Sequence, residues 1–250
     1  MLFRSCLLNM LYFNETTASV ETEQISLVLG DKFLISIQED ETRDVFDGLR
    51  EKLKINNSKL RQHHTDFLFY SLIDCIVNNY FVVLEKMGEK IESLEEDVIR
   101  SANKTTAANI NNLRKEMIVL KRNIGPVRDL VSSIMKRENS IIEERTIKYY
   151  KDIYDHVLQA TDLAENYRDM VVNLQDMYIN HVNLKLNEVM KVMAIVTCLL
   201  APATVIGGIF GMNFDSIPLL HNHRGFYFSV GAMLIIPVWM IFFFKKRGWY

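Results

Sequence analysis

The sequence predicts an α+β membrane protein, with a partial α/β part at the N-terminus, a long helical stalk and two transmembrane helices at the C-terminus. Three observations lead there. Val192 to Phe210 and Phe226 to Phe244 contain no Asp, Glu, Lys or Arg, and each is long enough to cross a bilayer. No Pro or Gly interrupts the chain between about Ile142 and Pro202, so one helix of roughly 90 to 100 Å is predicted from the soluble part through the first span. Near the start, Ile25 to Leu29 and Lys32 to Ile37 are β-rich runs that predict at least two antiparallel strands.

Taken in order, the apolar stretch from Met1 to Phe13 contains Arg4 and no small-residue cleavage site, so it reads as buried core and not as a secretory signal. Gly30-Asp31 between the two β-rich runs predicts a two-residue hairpin turn, with Gly30 supplying a positive φ. From Asp44 the apolar period becomes helical, with Phe67, Tyr70, Ile73, Ile76, Val77 and Phe81 recurring at three and four residues, and the helix continues to Arg100. Ala102 to Asn112 is small and polar and predicts a bend. Leu113 to Arg137 then predicts a second, antiparallel helix, interrupted or shifted near Gly125-Pro126. The resulting division is 1–60 as a truncated α/β part, 61–190 as the helical stalk and 191–250 as the membrane part. Within the last, 191–211 is the first span, 212–225 an outer loop, 226–244 the second span and 245–250 a basic tail.

Composition excludes several classes. The 250 residues carry 29 basic and 31 acidic side chains for a net charge of -2, and the basic ones are interspersed with acids, so nucleic acid is not expected as a partner. Three cysteines far apart in sequence suggest neither a disulfide framework nor a thiolate metal site, which fits a reducing, cytosol-facing compartment. No glycine-rich phosphate loop, nucleophile elbow or H-E-x-x-H segment occurs, so no nucleotide partner and no enzymatic activity are expected. Lys191 precedes the first span and Lys245, Lys246 and Arg247 close the second, while 212–225 holds only Arg224 as a full positive charge. The positive-inside rule therefore places both termini in the cytoplasm of a multi-pass protein of the cell (inner) membrane.

A polar line runs along the long helix. Steps of three and four residues, the spacing of a coiled-coil face, give Asp152, Asp155, Gln159, Asp162, Asn166, Asp169, Asn173, Asp176, Asn180, Asn183 and Asn187. The same register enters the first span as Met190, Ala194, Thr197, Ala201, Thr204, Gly208 and Gly211. No Lys or Arg lies on it. The soluble half by itself also reads as the solvated face of an amphipathic helix. Small and hydroxyl residues in the membrane half mean close packing or a wet lumen. A cation path accounts for both halves in one phase, and since two spans cannot enclose a lumen, it requires several copies around one axis. Met190 and Met193 would then form apolar rings able to close by dewetting, ordinary helix packing being the alternative.

Phe210-Gly211-Met212-Asn213-Phe214 stands at the end of the first span, before a short loop, a second span and the tail Lys245-Lys246-Arg247-Gly248-Trp249. With Glu188 to Val192, Tyr150 to His156 and Phe81 to Glu85, these segments make the sequence resemble the CorA family of magnesium channels over most of its length. The resemblance implies a homopentamer with a cytoplasmic funnel, with Mg2+ as both the transported and the regulatory ion. It implies that Asn213 and the Gly211 carbonyl, in the Gly211-Met212-Asn213 loop, meet hydrated Mg2+ at the outer entrance. It further implies that Asn187, Met190 and Thr204 line the pore, and that Asp152 and Asp176 on the funnel bind the Mg2+ that holds the channel shut, with Asp155 nearby on the same line. Co2+ and Ni2+ are further candidate ions, and self and membrane lipid are the implied partners.

The sequence departs from the family in two places. Leu219 follows Pro218 where an acidic residue is often found, leaving Asp215 as the loop's carboxylate, and the α/β part is short of the family's first strands and helices. His63-His64 and the pair His221 and His223 motivate a competing reading as a zinc-transporting relative, because imidazole favours Zn2+, Co2+ or Ni2+ over Mg2+. A membrane-anchored interaction protein without transport is the third reading.

Overall fold

The computed structural model describes residues 3–40, 44–136, 142–214, 217–219 and 223–248. Asp215 and His221 lie outside the described residues, and so does the side chain of His223. The chain divides into two compact units, Met1–Tyr178 and Ile179–Tyr250.

In the first unit three strands form an antiparallel sheet of order β1-β2-β3, with β1 Phe3–Asn14, β2 Ser19–Gly30 and β3 Leu34–Ile37. The N-terminal apolar stretch is thus mostly a long strand, paired in register from Phe3 opposite Gly30 to Asn14 opposite Ser19. Its burial alternates with the pleat: Cys6, Leu8 and Met10 are buried with Ile25, Leu27 and Leu29, while Leu7 is 63% exposed. From Cys6 to Met10 the reading of this stretch as core holds for one face only, because successive strand side chains point to opposite sides, whereas Leu11 is buried as well.

The predicted turn at Gly30-Asp31 is corrected by the structure. Gly30 belongs to β2 and has no positive φ; the connection is the longer Asp31 to Phe33, closed by Gly30 N donating to Phe33 O at 2.8 Å. A side chain at Gly30 would require the Phe33 ring to shift, since ring atoms occupy the place of a Cβ.

Helices α1 Asp47–Lys54 and α2 Lys59–Gln62 are short, and three long helices follow: α3 Thr65–Arg100, α4 Lys104–Lys136 and α5 Glu144–Phe210. The Tyr80 hydroxyl of α3 donates to the Asn9 carbonyl at 2.6 Å, and Glu116 Oε2 of α4 accepts the Val20 amide at 2.7 Å. These bonds satisfy polar groups at the sheet that would otherwise be costly to bury. The buried Asp66 carboxylate ties the start of α3 to the approach of α5, accepting the Glu143 amide at 2.9 Å. On α5, Tyr150, Ile153, Val157 and Ala160 are buried in the same core.

Two sequence expectations for α4 change. The bend is confined to Ser101–Asn103, because Asn103 Oδ1 accepts the Thr106 amide at 2.9 Å and starts the helix before the polar stretch ends. The polar residues of 104–112 lie on its solvent face, with Thr106 and Ile110 turned inward. The helix also runs through Gly125-Pro126, with buried Ile124 and Val127 anchoring the turn on either side.

Among the described residues, three helices are long and apolar enough to cross a membrane: α3, α5 and Arg224–Lys246 within α6 His223–Lys246. Burial separates them. Half of the most apolar window of α3 is buried, against 6% in each of the other two. The sheet and its neighbouring helices take up the apolar face of α3, which leaves the two C-terminal helices with apolar surface that water would not tolerate.

Candidate functional site: a polar line on α5 and the loop that follows it

Within the first unit every residue predicted on the polar line, from Asp152 and Asp155 through Asp162, Asn166, Asp169 and Asn173 to Asp176, is exposed. The opposing stripe of Tyr150, Ile153, Val157, Ala164, Val171 and Leu174 is buried. The line is therefore the outward face of α5, held there by a core that takes the other side of an amphipathic helix.

Two groups that sequence reasoning missed stand near Asp152. Asp74 of α3 is half-buried and its carboxyl is raised above the usual carboxylate range, first by burial, with His156 and Asn78 opposing and Asp152 adding to the rise. Tyr70, pushed up to about 12 by burial, also feels Asp74 and Asp152. His156 presents a buried Nδ1 without a hydrogen-bond partner and stands edge-on to Phe81 at 6.2 Å. One signal in the sequence marks Asp74: it is the lone acid in the apolar run from Phe67 to Leu84. Among the described residues, no three His, Cys, Asp or Glu side chains converge closely enough to hold a metal ion within one chain.

In the second unit the pore candidates Asn187, Met190, Met193, Ala194, Thr197, Ala201, Thr204 and Gly208 are all exposed, Met190 at 67%. Ile195, Leu199, Pro202, Ala203, Ile206 and Phe210 are buried or half-buried. At 100° per residue those two sets lie about 180° apart on the helix. The covering element is α6, whose own inward stripe is Ser229, Met233, Pro237, Met240 and Phe244. Met233 Cε comes within 3.6 Å of the place of a Cβ at Gly207. So α6 packs on one side of α5 and leaves the small, hydroxyl-bearing side free.

The hydroxyls on the free side are oriented. Thr197 Oγ1 donates to the Met193 carbonyl at 2.8 Å and Thr204 Oγ1 to the Leu200 carbonyl at 3.0 Å. Each spends its proton on its own helix and turns oxygen lone pairs outward, which is the polarity a cation meets favourably. Pro202 and Pro237 lie inside their helices, and each denies an amide to the carbonyl four residues earlier.

The helix ends at the loop. Gly211 N donates to the Gly207 carbonyl at 2.9 Å and Met212 N to that of Ile209 at 3.3 Å. Asn213 follows in an irregular, exposed segment, with Phe214 67% exposed beside it. The return to α6 passes through Leu219 at φ 72, a conformation a branched side chain seldom adopts. Gly225 is buried against it, the Leu219 carbonyl and Cβ occupying the place of any side chain there. Of the alternative histidine ligands, His63 lies against the Phe67 ring at 4.4 Å and His64 Nε2 lies 3.2 Å from Glu143. The basic tail Lys245, Lys246 and Arg247 is exposed at the end of α6.

Two long apolar stretches almost free of burial, the first at the end of α5 with a polar line in phase and an asparagine loop after it, define a membrane protein with the elements of a cation pathway. Residues 4–246 match the family described as CorA-like Mg2+ transporter protein. The cobalt/magnesium transport protein CorA of Thermotoga maritima is 38% identical over 242 residues, covering 97% of this chain and 69% of that protein. The protein of the same description from Methanocaldococcus jannaschii is 25% identical over 233 residues, 92% of this chain and 73% of that one. The complete structure of the CorA magnesium transporter from Methanocaldococcus jannaschii superposes with a TM-score of 0.85 over 99% of this chain and 77% of that chain, at 23% identity. The chain belongs to the CorA-like Mg2+ transporter family.

Proposed function

We propose that this chain is one subunit of a homopentameric channel that carries Mg2+, and with it Co2+ or Ni2+, into the cell down the electrochemical gradient. The observation that carries the reading is the placement of α6 opposite the polar line of α5: it leaves Thr197, Ala201, Thr204 and Gly208 free to meet the same face of other copies. α5 and α6 are the two spans, with both termini in the cytoplasm and Asn213 at the outer mouth. Bilayer lipid covers the remaining apolar surface.

The chemistry suits the ion. Mg2+ gives up water reluctantly, and a ring of Asn213 amide oxygens with Gly211 carbonyls recognises it through its hydration shell. A carboxylate ring would bind a divalent ion more tightly and delay its exit. No chemical step is needed, because a membrane potential is worth about 2.3 kcal/mol per charge per 100 mV, hence about 4.6 kcal/mol for a divalent ion. Below the mouth, Met193 and Met190 form the apolar constriction and Asn187 its inner polar edge.

Gating follows from the exposed acids of α5. Cytoplasmic Mg2+ held between copies by Asp152, with Asp155 nearby, and further along the helix by Asp176, offsets repulsion between neighbouring carboxylates and stabilises the closed arrangement. Loss of the ion at low internal Mg2+ lets the subunits separate and the methionine rings widen. Asp74, whose carboxyl is raised first by burial and further by Asp152, is one more acid in the neighbourhood of Asp152.

Mg2+ flux into proteoliposomes holding the purified chain, with internal Mg2+ varied, tests conduction and gating together. The parent is expected to conduct and to be inhibited as internal Mg2+ rises. Asn213→Ala is expected to abolish uptake, and retained uptake would remove the loop from selectivity. Asp152→Ala is expected to weaken inhibition by internal Mg2+, and unchanged inhibition would remove Asp152 from the sensor. Zn2+ flux that millimolar Mg2+ neither joins nor blocks would replace the magnesium reading with the zinc one.

A further inference from the structure

The end of α6 carries three basic side chains in succession, Lys245, Lys246 and Arg247, all exposed, and among the described residues none is paired with a carboxylate. No acid occurs anywhere in α6 to balance them. Arg247 is not free to wander. Its guanidinium lies over the Phe243 ring at 5.2 Å, and that ring in turn stacks on Trp239 at 5.8 Å with an interplanar angle of 23°. Residues four apart share one face of a helix, so Trp239, Phe243 and Arg247 form a continuous column. The column is apolar along its length and ends in a planar donor fork held by a cation–π contact. The chain then turns at Gly248, with φ 72, its amide donating to the Lys245 carbonyl at 3.1 Å. That closure holds all three cations within the last turn, where the negative end of the helix dipole favours them.

We infer that this column and its basic end form a binding site for an anionic phospholipid, with Lys245, Lys246 and Arg247 on the phosphodiester and one acyl chain against Trp239 and Phe243. The guanidinium fork matches two oxygens of a phosphate, and the lysines add point charge around it. Stacking fixes the fork before the ligand arrives, so less side-chain freedom is lost on binding. Each basic side chain near an anionic surface is worth roughly a fivefold gain in affinity, which a zwitterionic headgroup would not supply. The site rests on the reading of α6 as a span whose C-terminal end meets the inner leaflet.

The test uses fluorescence of Trp239 in the full-length chain carrying Trp249→Phe, reconstituted in bilayers with brominated phosphatidylglycerol or brominated phosphatidylcholine as quencher. The expected result is quenching by both lipids, with a preference for the anionic one of at least about fivefold. Arg247→Gln with Lys245→Gln and Lys246→Gln is expected to bring the ratio to about one. Phe243→Leu, which keeps all three charges, is expected to give an intermediate ratio. Equal quenching by the two lipids in the parent would overturn the lipid site while leaving α6 in the bilayer. Absence of quenching by either would overturn the membrane reading of α6 and the site together. A loss of the preference on adding millimolar inorganic phosphate would assign the basic cluster to free phosphate and not to a lipid headgroup.

Discussion

Asp44 shows how one residue can hold a charge inside a fold whose sequence gives no sign of it. Its side chain is 2% exposed, and burial pushes its carboxyl up, yet Arg50, Gln38 and the Phe46 amide together outweigh burial and hold it below the usual carboxylate range. Gln38 Nε2 donates at 2.9 Å and the Phe46 amide at 3.0 Å, and Arg50 contributes a two-pronged contact. A carboxyl lowered in the folded state stabilises the protein above the unfolded carboxylate range, near pH 4, and that stability is lost as pH falls through the lower folded value. Arg50→Ala is therefore expected to cost about 1–3 kcal/mol at neutral pH, the worth of a charge-assisted hydrogen bond. The difference in thermal midpoint between parent and variant, in detergent, should shrink as pH is taken below the folded value. A constant difference would assign the effect to lost packing. The site residues divide in the same way. Gly211, Met212 and Asn213 were recognisable as a string at the end of a span, whereas Asp74 drew no notice because its meaning lies in the approach of Asp152 from a helix far along the chain.

Pattern served well for elements wherever burial enforced it. The period-2 burial of β2 and the stripe of Tyr150, Ile153 and Val157 on α5 are both visible as residue spacing in the sequence. It misled at punctuation. Gly125-Pro126 reads as a break, and α4 nevertheless continues from Lys104 to Lys136, because Ile124, Val127 and Val131 are held in the core on both sides of it. The helix tolerates an unpaired carbonyl at Arg122 and the contact with the proline ring, a cost that packing offsets. Pro126 is itself exposed, so Pro126→Ala should restore the missing amide at no loss of burial. The expected outcome is a gain of about 1 kcal/mol or more and a higher thermal midpoint. A lower midpoint would show that proline rigidity in the unfolded chain matters more than the helix bond. The hairpin at Gly30 failed for a related reason: the position of the Phe33 ring, and not the sign of φ, decides what residue fits there.

For the whole molecule, the largest consequence of the fold is the uncovered face it leaves on α5. A single copy offers α5 and α6, one packed face between them and an opposite face of small and hydroxyl residues with nothing of its own to cover it. If copies surround an axis with that face inward, then Thr204→Cys, in a background where Cys6, Cys75 and Cys198 are replaced by Ser, should cross-link between copies on mild oxidation in membranes. Ile206→Cys, on the α6-facing side, should not. Cross-linking through Ile206→Cys and not through Thr204→Cys would reverse the face assigned to the pore.

The linear sequence by itself determined the two uncharged runs, the polar register passing unbroken from Asp152 to Gly211, and the Gly-Met-Asn loop, because length, charge and helical period are properties of the chain alone. Tertiary structure decided which apolar helices have a protein partner. The most apolar stretch of α3 is half-buried against the sheet and its neighbouring helices, while those of α5 and α6 are almost unburied. It also decided that α6 covers the side of α5 away from the polar line. Both outcomes depend on which surfaces from distant parts of the chain come together to exclude solvent, and hydropathy sets how much apolar area must be covered without setting what covers it.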